Sequence, residues 1–262
     1  MFRLPVSGLP VVFQQPTGYE DLLLQEYQAS DTAVSLALIR RLVRTADETP
    51  VIWTDLTMTD LEALLLQLRK NLLGDVIRAV ARCTSEGCGA PIDVSFGIAA
   101  YLESRKIRTP DWLEMDDAPG WFRLRDRKPR GEAIRFRLPK AGDLTEIERE
   151  NNPDRLLMER CLEPSNAPAR LRQRAERAME SMAPLMSQMV AGECPECHRV
   201  MQFFFNVRSF VLQELRRLSA TIYYDVHQLA LHYKWLEDQI LAVPSVRRVR
   251  YIELIHESGA TA

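Results

Sequence analysis

No run of about 18 consecutive apolar residues, the length a membrane-spanning helix needs, occurs in this 262-residue chain. No transmembrane helix is therefore expected. The opening MFRLPVSGLPVVF lacks a sustained apolar run with a small-residue cleavage site, so it does not read as a secretory signal. A reducing cytoplasm is the expected location, where a disulfide framework would not persist. Histidine is scarce: His198, His227, His232 and His256 are the four present. His227 and His232 stand five apart, about 140° around a helix, which is poor placement for sharing a metal. HExxH, GxGxxG, a Walker A loop and GxSxG are all missing. No catalytic class has a motif here, so neither an enzyme nor a small-molecule substrate is expected. Charge of one sign is not in excess either. Lys plus Arg number 34 and Asp plus Glu 36, a net charge of −2. That balance argues against nucleic acid as a partner, which needs a cationic face.

What the chain does have is enough apolar material for a core, 46% hydrophobic against 27% charged residues. The length suits one large or two small domains. Its most informative feature is the spacing of five cysteines. Cys83 and Cys88 form one close pair, and Cys194 and Cys197 a second, within Cys194-Pro-Glu-Cys197. Gly87, Gly89 and Pro195 suit the turns of metal-binding knuckles. Zinc prefers four such thiolates in a tetrahedron. The long separation of the pairs would make the site a split one, far from ordinary zinc-ribbon spacing.

The flanks match. Counted from the second cysteine of each pair, Ile92 corresponds to Met201, Val94 to Phe203, Phe96 to Phe205, Ile98 to Val207 and Tyr101 to Phe210. The early matches alternate with period two, as strands do. Alternating segments also precede each pair: Val76, Arg78, Val80 and Met186, Gln188, Val190. Each unit reads strand, knuckle, strand, helix. One structural Zn²⁺ held by Cys83, Cys88, Cys194 and Cys197 is the leading reading. Buried free thiols and a redox pair at Cys194–Cys197 remain alternatives. His198 would point away from its neighbour on a strand and is read as a bystander, although it could substitute as a ligand. Cys161 sits on a helical stretch and is expected in the core.

Phe2-Arg3-Leu4-Pro5 recurs as Phe136-Arg137-Leu138-Pro139, each followed by an acidic helix containing Asp-Leu. The chain thus divides into two related halves, roughly 1–118 and 119–215, and a helical tail over 216–262. The polar stretch around Asp116-Asp117 reads as the linker between the halves. Helices are expected over 17–28, over 32–45 with Asp31 as N-cap, over 59–71 with a stripe of Leu61, Leu64, Leu65 and Leu68, and over 167–182. The longest is expected over 208–233. Residues 121–138 read as a hairpin turning at Lys128-Pro129-Arg130-Gly131. Its Arg123, Arg125, Arg135 and Arg137 alternate with apolar residues, giving one basic, solvated face that protects a sheet edge, docks a partner or binds phosphate. Two short helices around Pro244-Ser245 close the chain in a helix-turn-helix outline, with Arg247, Arg248 and Arg250 solvated. Trp235, Arg247 and Tyr251 are of the types that anchor interfaces. The fold class expected is α+β: a split zinc-ribbon-like β core from two pseudo-repeat halves, surrounded by helices, with a C-terminal helical tail.

The order of these motifs resembles a known family. LPVSGLP is followed by PTGYEDLLL, TDLEALLLQLRKNLLGDVIRAVARC and CGAPIDVSFGIAAYL. FRLPKAGDL, RLLMERCL, CPECHRVMQFFFNVRSFVLQEL and DVHQLALHYKWLEDQILAVPSVRRVRYIELI come next. Over nearly all of 1–255 the succession is similar to phage-like baseplate and tail-assembly proteins of contractile injection systems and tailed phages. These are distantly like the T-even baseplate hub assembly protein. The resemblance implies a non-enzymatic structural protein or assembly chaperone, with other tail and baseplate proteins as partners. It also implies incorporation in the particle or a role confined to its assembly. It carries the metal ligands onto Cys83, Cys88, Cys194 and Cys197, the first knuckle being two residues longer, with Ser85 and Glu86 the expected insert. A zinc-ribbon nucleic-acid-binding or regulatory module is the alternative.

Overall fold

A computed structural model describes residues 1–105, 107–125, 133–148 and 150–259, the side chains of Arg125 and Ser258 excepted. The chain opens with strands β1 (Phe2–Arg3) and β2 (Pro10–Phe13). Helix α1 (Gly18–Glu26) starts where the Glu20 carboxylate accepts hydrogen bonds from the Thr17 amide and hydroxyl, both at 2.8 Å. Helix α2 (Asp31–Leu42) is capped by Ser30, whose Oγ accepts from the Ala33 amide at 3.3 Å. Asp31 is thus the first helical residue and not the expected cap. Its carboxylate turns instead to the Ser209 hydroxyl at 2.5 Å. The helix ends at Leu42 because Val43–Thr45 leaves it to form β3 against β2, as β-branched residues favour.

Helix α3 (Met58–Leu73) carries the expected leucine stripe, and Ala63, Leu66 and Glu62 on its other faces are buried too. It is the central element of the main core. Gly74, at φ +86, ends it and turns the chain into β4 (Val76–Arg82). Strand β5 (Pro91–Gly97) returns antiparallel and leads directly into α4 (Ile98–Ser104). A four-stranded antiparallel sheet follows, formed by β6 (Glu114–Met115), β7 (Trp121–Arg125), β8 (Ala133–Arg137) and β9 (Leu162–Glu163) in that order. Between β8 and β9 lie α5 (Ala141–Ile147) and α6 (Pro153–Cys161). Helix α7 (Ala169–Met182) lays Leu171, Ala175, Ala178 and Met182 on the sheet, against Leu124, Ile134 and Phe136. Cys161 belongs to this second core and is fully buried. The hairpin strands lie where the sequence places them. The turn expected at 128–131 lies outside the described residues.

The chain then rejoins the first body. β10 (Gln188–Glu193) and β11 (Val200–Phe205) form a second two-stranded hairpin, followed by α8 (Val207–Leu218). The main core collects Leu4, Val11, Leu38 and Leu64 together with Met186, Phe205, Val211 and Leu215. Residues from both sides of position 119 therefore fill one core.

The long helix expected over 208–233 is two helices. A 3₁₀ turn at Ser219–Thr221 separates α8 from α9 (Ile222–Tyr233). The Gln25 side chain on α1 donates to the Arg216 carbonyl and the Ser219 hydroxyl, both at 2.8 Å, so the groups at the break have partners. Helices α10 (Glu237–Leu241) and α11 (Ser245–Gly259) complete the tail, with Leu229, Ile240 and Ile255 as its own small core.

Arg248 docks the tail and is not solvated as its sequence context suggests. It is 3% exposed, with Nε 3.0 Å from Asp225 and Nη2 donating to Asp21. Ser245 adds its hydroxyl to Asp21 at 2.9 Å and its amide to the Pro16 carbonyl at 3.1 Å. Among the described residues, Arg248 Nη1 has no hydrogen-bond partner, and it lies beneath Gly18. The approach requires Gly18: a Cβ there would lie 2.9 Å from the Leu241 Cα. Arg247 and Arg250 are exposed, Arg250 pairing with Glu253 at 2.8 Å.

Candidate metal centre

The two hairpins carry one register into two knuckles. In the first, Arg82 pairs with Pro91, and the Cys83 amide donates to the Ala90 carbonyl at 2.8 Å. In the second, Glu193 pairs with Val200, and the Cys194 amide donates to the Arg199 carbonyl at 3.0 Å. Cys83 thus corresponds to Cys194, and Cys88 to Cys197. The residue after each second cysteine is left-handed: Gly89 at φ +62 and His198 at φ +57. The two extra residues of the first knuckle bulge within its loop, closed by Gly87 at φ +77.

The matched flanks meet in space. Phe96 and Phe205 stand edge to face at 5.2 Å, with Tyr101 5.1 Å from Phe96 and Phe210 5.3 Å from Phe205. Ile98 and Val207, the first residues of α4 and α8, are both fully buried. Side chains that the sequence reading missed hold the hairpin bases. Glu62, buried on α3, accepts from the Met186 and Ser187 amides at 3.0 and 2.9 Å and from the Ser187 hydroxyl at 2.8 Å. Asp75 accepts from the Ala99 amide at 3.1 Å and caps α4. A carboxylate directly flanked by Leu61, Ala63, Leu65 and Leu66 was the available signal for Glu62.

This framework brings all four sulfurs within 4.8 Å of one another. Cys83 lies 3.7 Å from Cys197 and Cys88 lies 3.8 Å from Cys194, each contact crossing between hairpins. The separations exceed a sulfur–sulfur bond of about 2.05 Å, and all five cysteines are free. These two cross-hairpin separations match the edges, about 3.8 Å, of a tetrahedron with metal–sulfur bonds of about 2.3 Å. The four cysteines therefore form a candidate site for one tetrahedral metal.

The electrostatics favour a cation at the centre. Hydrogen bonds from the Ser85 side chain and amide draw the Cys83 thiol down to about 6. The Arg199 amide likewise draws Cys197 down. The Ala90 amide lowers Cys88, but burial and the neighbouring thiols outweigh it and push this group up to about 12. Some of the sulfurs ionise readily while their neighbours then resist. A bound metal relieves that conflict. Cys161 stands apart from the cluster, its thiol pushed up to about 11 by burial.

His198 is not among the converging ligands. Its side chain is 76% exposed and its Nδ1 faces Glu193 at 3.1 Å. What the position demands is left-handed backbone, which costs a non-glycine residue on the order of 1 kcal/mol. His198→Gly is expected to keep full metal content and to leave thermal stability unchanged or raised by about 1 kcal/mol. Loss of metal from that variant would make His198 a ligand.

The described hairpin arginines, Arg123, Arg135 and Arg137, stay partly exposed, but each is paired with a carboxylate, so the face is not a free basic one. Arg123 binds Asp116 at 2.9 Å and Asp117 at 3.5 Å. Arg135 pairs with Asp116 at 3.4 Å and with Glu163, and stacks on Trp121 at 5.3 Å. Arg137 makes two 2.7 Å bonds to Asp143. The Arg125 side chain lies outside the described residues. The aspartates read as a linker are in fact counter-ions of the hairpin. In the tail, Trp235 packs against Tyr233 at 5.3 Å and Tyr251 at 5.1 Å, half-buried, whereas Arg247 stays exposed. Compared with protein-family models, with curated proteins and with solved structures, the chain matches none.

Proposed function

We propose that Cys83, Cys88, Cys194 and Cys197 hold one structural zinc ion, and that the chain is a non-enzymatic scaffold acting through protein–protein contacts. The observation that carries this reading is the convergence of four thiols from two hairpins distant in sequence. Thiolates are soft ligands that suit a tetrahedral zinc ion, and four of them leave no open position for a reacting water. The ion then sets the relative position of the two hairpins and performs no chemistry.

The order of sequence motifs supports a narrower role, a baseplate or tail-assembly protein of a contractile, phage-like particle. Its partners are other tail and baseplate proteins, and it acts in the bacterial cytoplasm where such particles are built. The nucleic-acid alternative, which would use the hairpin or the C-terminal helices, is less favoured on the hairpin, where Arg123, Arg135 and Arg137 already face carboxylates.

Deleting the gene from a particle-producing strain and imaging the lysate by electron microscopy tests this role. Intact contractile particles are expected to disappear and to return with the parent gene but not with Cys194→Ser. Normal particles from the deletion strain would overturn the assembly role.

A further inference from the structure

Between the tail and the body runs a cleft of about 470 Å³, within the size range of binding pockets. Its walls are apolar, with Leu24, Leu38, Leu42, Leu68 and Leu215 all buried. Its polar edge is acidic. Glu20 is neutralised by Arg41 at 2.6 Å. Asp21 and Asp225 share one guanidinium, that of Arg248. Two carboxylates on one cation leave one negative charge uncompensated in a largely apolar cavity. The known hydrogen bonds of both aspartates fall on Oδ2. Among the described residues, no hydrogen bond reaches Oδ1 of either. Burial pushes the Asp21 carboxyl up, Arg248 only partly opposing it, as expected of a carboxylate short of positive partners.

The apolar lining reaches the mouth of the cleft, where its outermost side chains stay largely exposed. Leu218 is 53% exposed, Val246 72% and Val249 50%. A small ligand confined to the cleft would leave this rim uncovered, whereas a peptide segment lying across it would use both. We propose that the seam between α11 and the α1–α3 body receives a basic side chain, lysine or arginine, carried on an apolar segment of a protein partner. The cation completes the charge at Asp21 and Asp225, and the flanking apolar residues cover Leu218, Val246 and Val249. This site is separate from the metal centre and does not depend on the identity of the metal.

Three six-carbon probes separate charge from apolarity on the full-length chain: n-hexylammonium, hexanol and hexanoate. Binding is read from chemical shifts of leucine and valine methyls. Hexylammonium is expected to bind about tenfold more tightly than hexanoate, a difference of about 1.4 kcal/mol, with hexanol between them. Arg248 Nη1, without a hydrogen-bond partner among the described residues, is the cationic group of the lining that would favour an anion, so equal or tighter hexanoate binding overturns the proposal. Val249→Arg, a change at an exposed position, should place a cation of the chain's own at the mouth and weaken hexylammonium about tenfold. Parent-like binding in that variant would also overturn it. Selection of random displayed peptides on the parent should enrich Lys or Arg flanked by aliphatic residues, and Val249→Arg should abolish the enrichment. Probe binding without any such enrichment would assign the cleft to a small amine and reject a protein partner.

Discussion

Cys194→Ser is expected to empty the metal centre and lower the melting temperature by on the order of 10–20 °C. Binding of a structural zinc is coupled to folding and contributes on the order of 10 kcal/mol, which rivals the whole stability of a typical domain, about 5–15 kcal/mol. Losing even half of that, at about 2–4 °C per kcal/mol for a chain near this size, gives the stated shift. The effect should not stay local. Cys194 starts the turn after β10, whose base is held by Glu62 on α3, and its partner Cys88 follows β4, which also grows from α3. A free second knuckle therefore loosens both hairpins where Phe96 and Phe205 meet. Acid should act in the same direction, because the ligands bind metal only as thiolates. Cys161→Ser is the contrast. It buries a hydroxyl in an apolar core, costs about 1–3 kcal/mol, and leaves the metal in place. Calorimetry with metal analysis of both variants checks the pair. Parent-like melting of Cys194→Ser with metal retained would remove the split site.

Arg248→Met should detach the tail at a cost of about 3–5 kcal/mol, the usual penalty for leaving buried charges without their partner. Asp21 and Asp225 would both remain buried and unneutralised. Hydrogen exchange should accelerate across 237–259 while metal content stays at the parent value. Gly18→Ala should loosen the same junction by another route, since its Cβ would press on the Leu241 backbone. Replacing Asp21 and Asp225 by Asn in the Arg248→Met background should recover much of the loss, because no ion is then left unpaired. Slow exchange in Arg248→Met equal to the parent would show that the ion cluster does not hold the tail.

The hairpins and knuckles were legible in the sequence because their signal is local. Alternation before and after each cysteine pair predicts strands, and the matched offsets predict that Phe96 and Phe205 occupy equivalent places. The α+β class, the leucine stripe of α3 and the buried Cys161 follow from local patterns in the same way. What could not be read depends on partners far apart in the chain. Arg248 looks like one of three surface arginines until Asp21, on a helix at the other end of the chain, meets it. Arg123 and Arg135 read as a basic face because their counter-ions, Asp116 and Glu163, lie in neighbouring strands or just beside them. The break at Ser219 hides in a continuous helical pattern, since its side-chain support comes from Gln25 on α1. Strand alternation points His198 away from the sulfurs for the wrong reason; the residue lies outside the strand in left-handed backbone, in the place that Gly89 fills in the other knuckle.

X-ray absorption at the zinc edge, combined with elemental analysis of the purified full-length chain, is the most direct measurement. One zinc per chain with four sulfur neighbours at about 2.3 Å is the predicted result. A folded, metal-free chain whose Cys83, Cys88, Cys194 and Cys197 all react with a thiol reagent would contradict it.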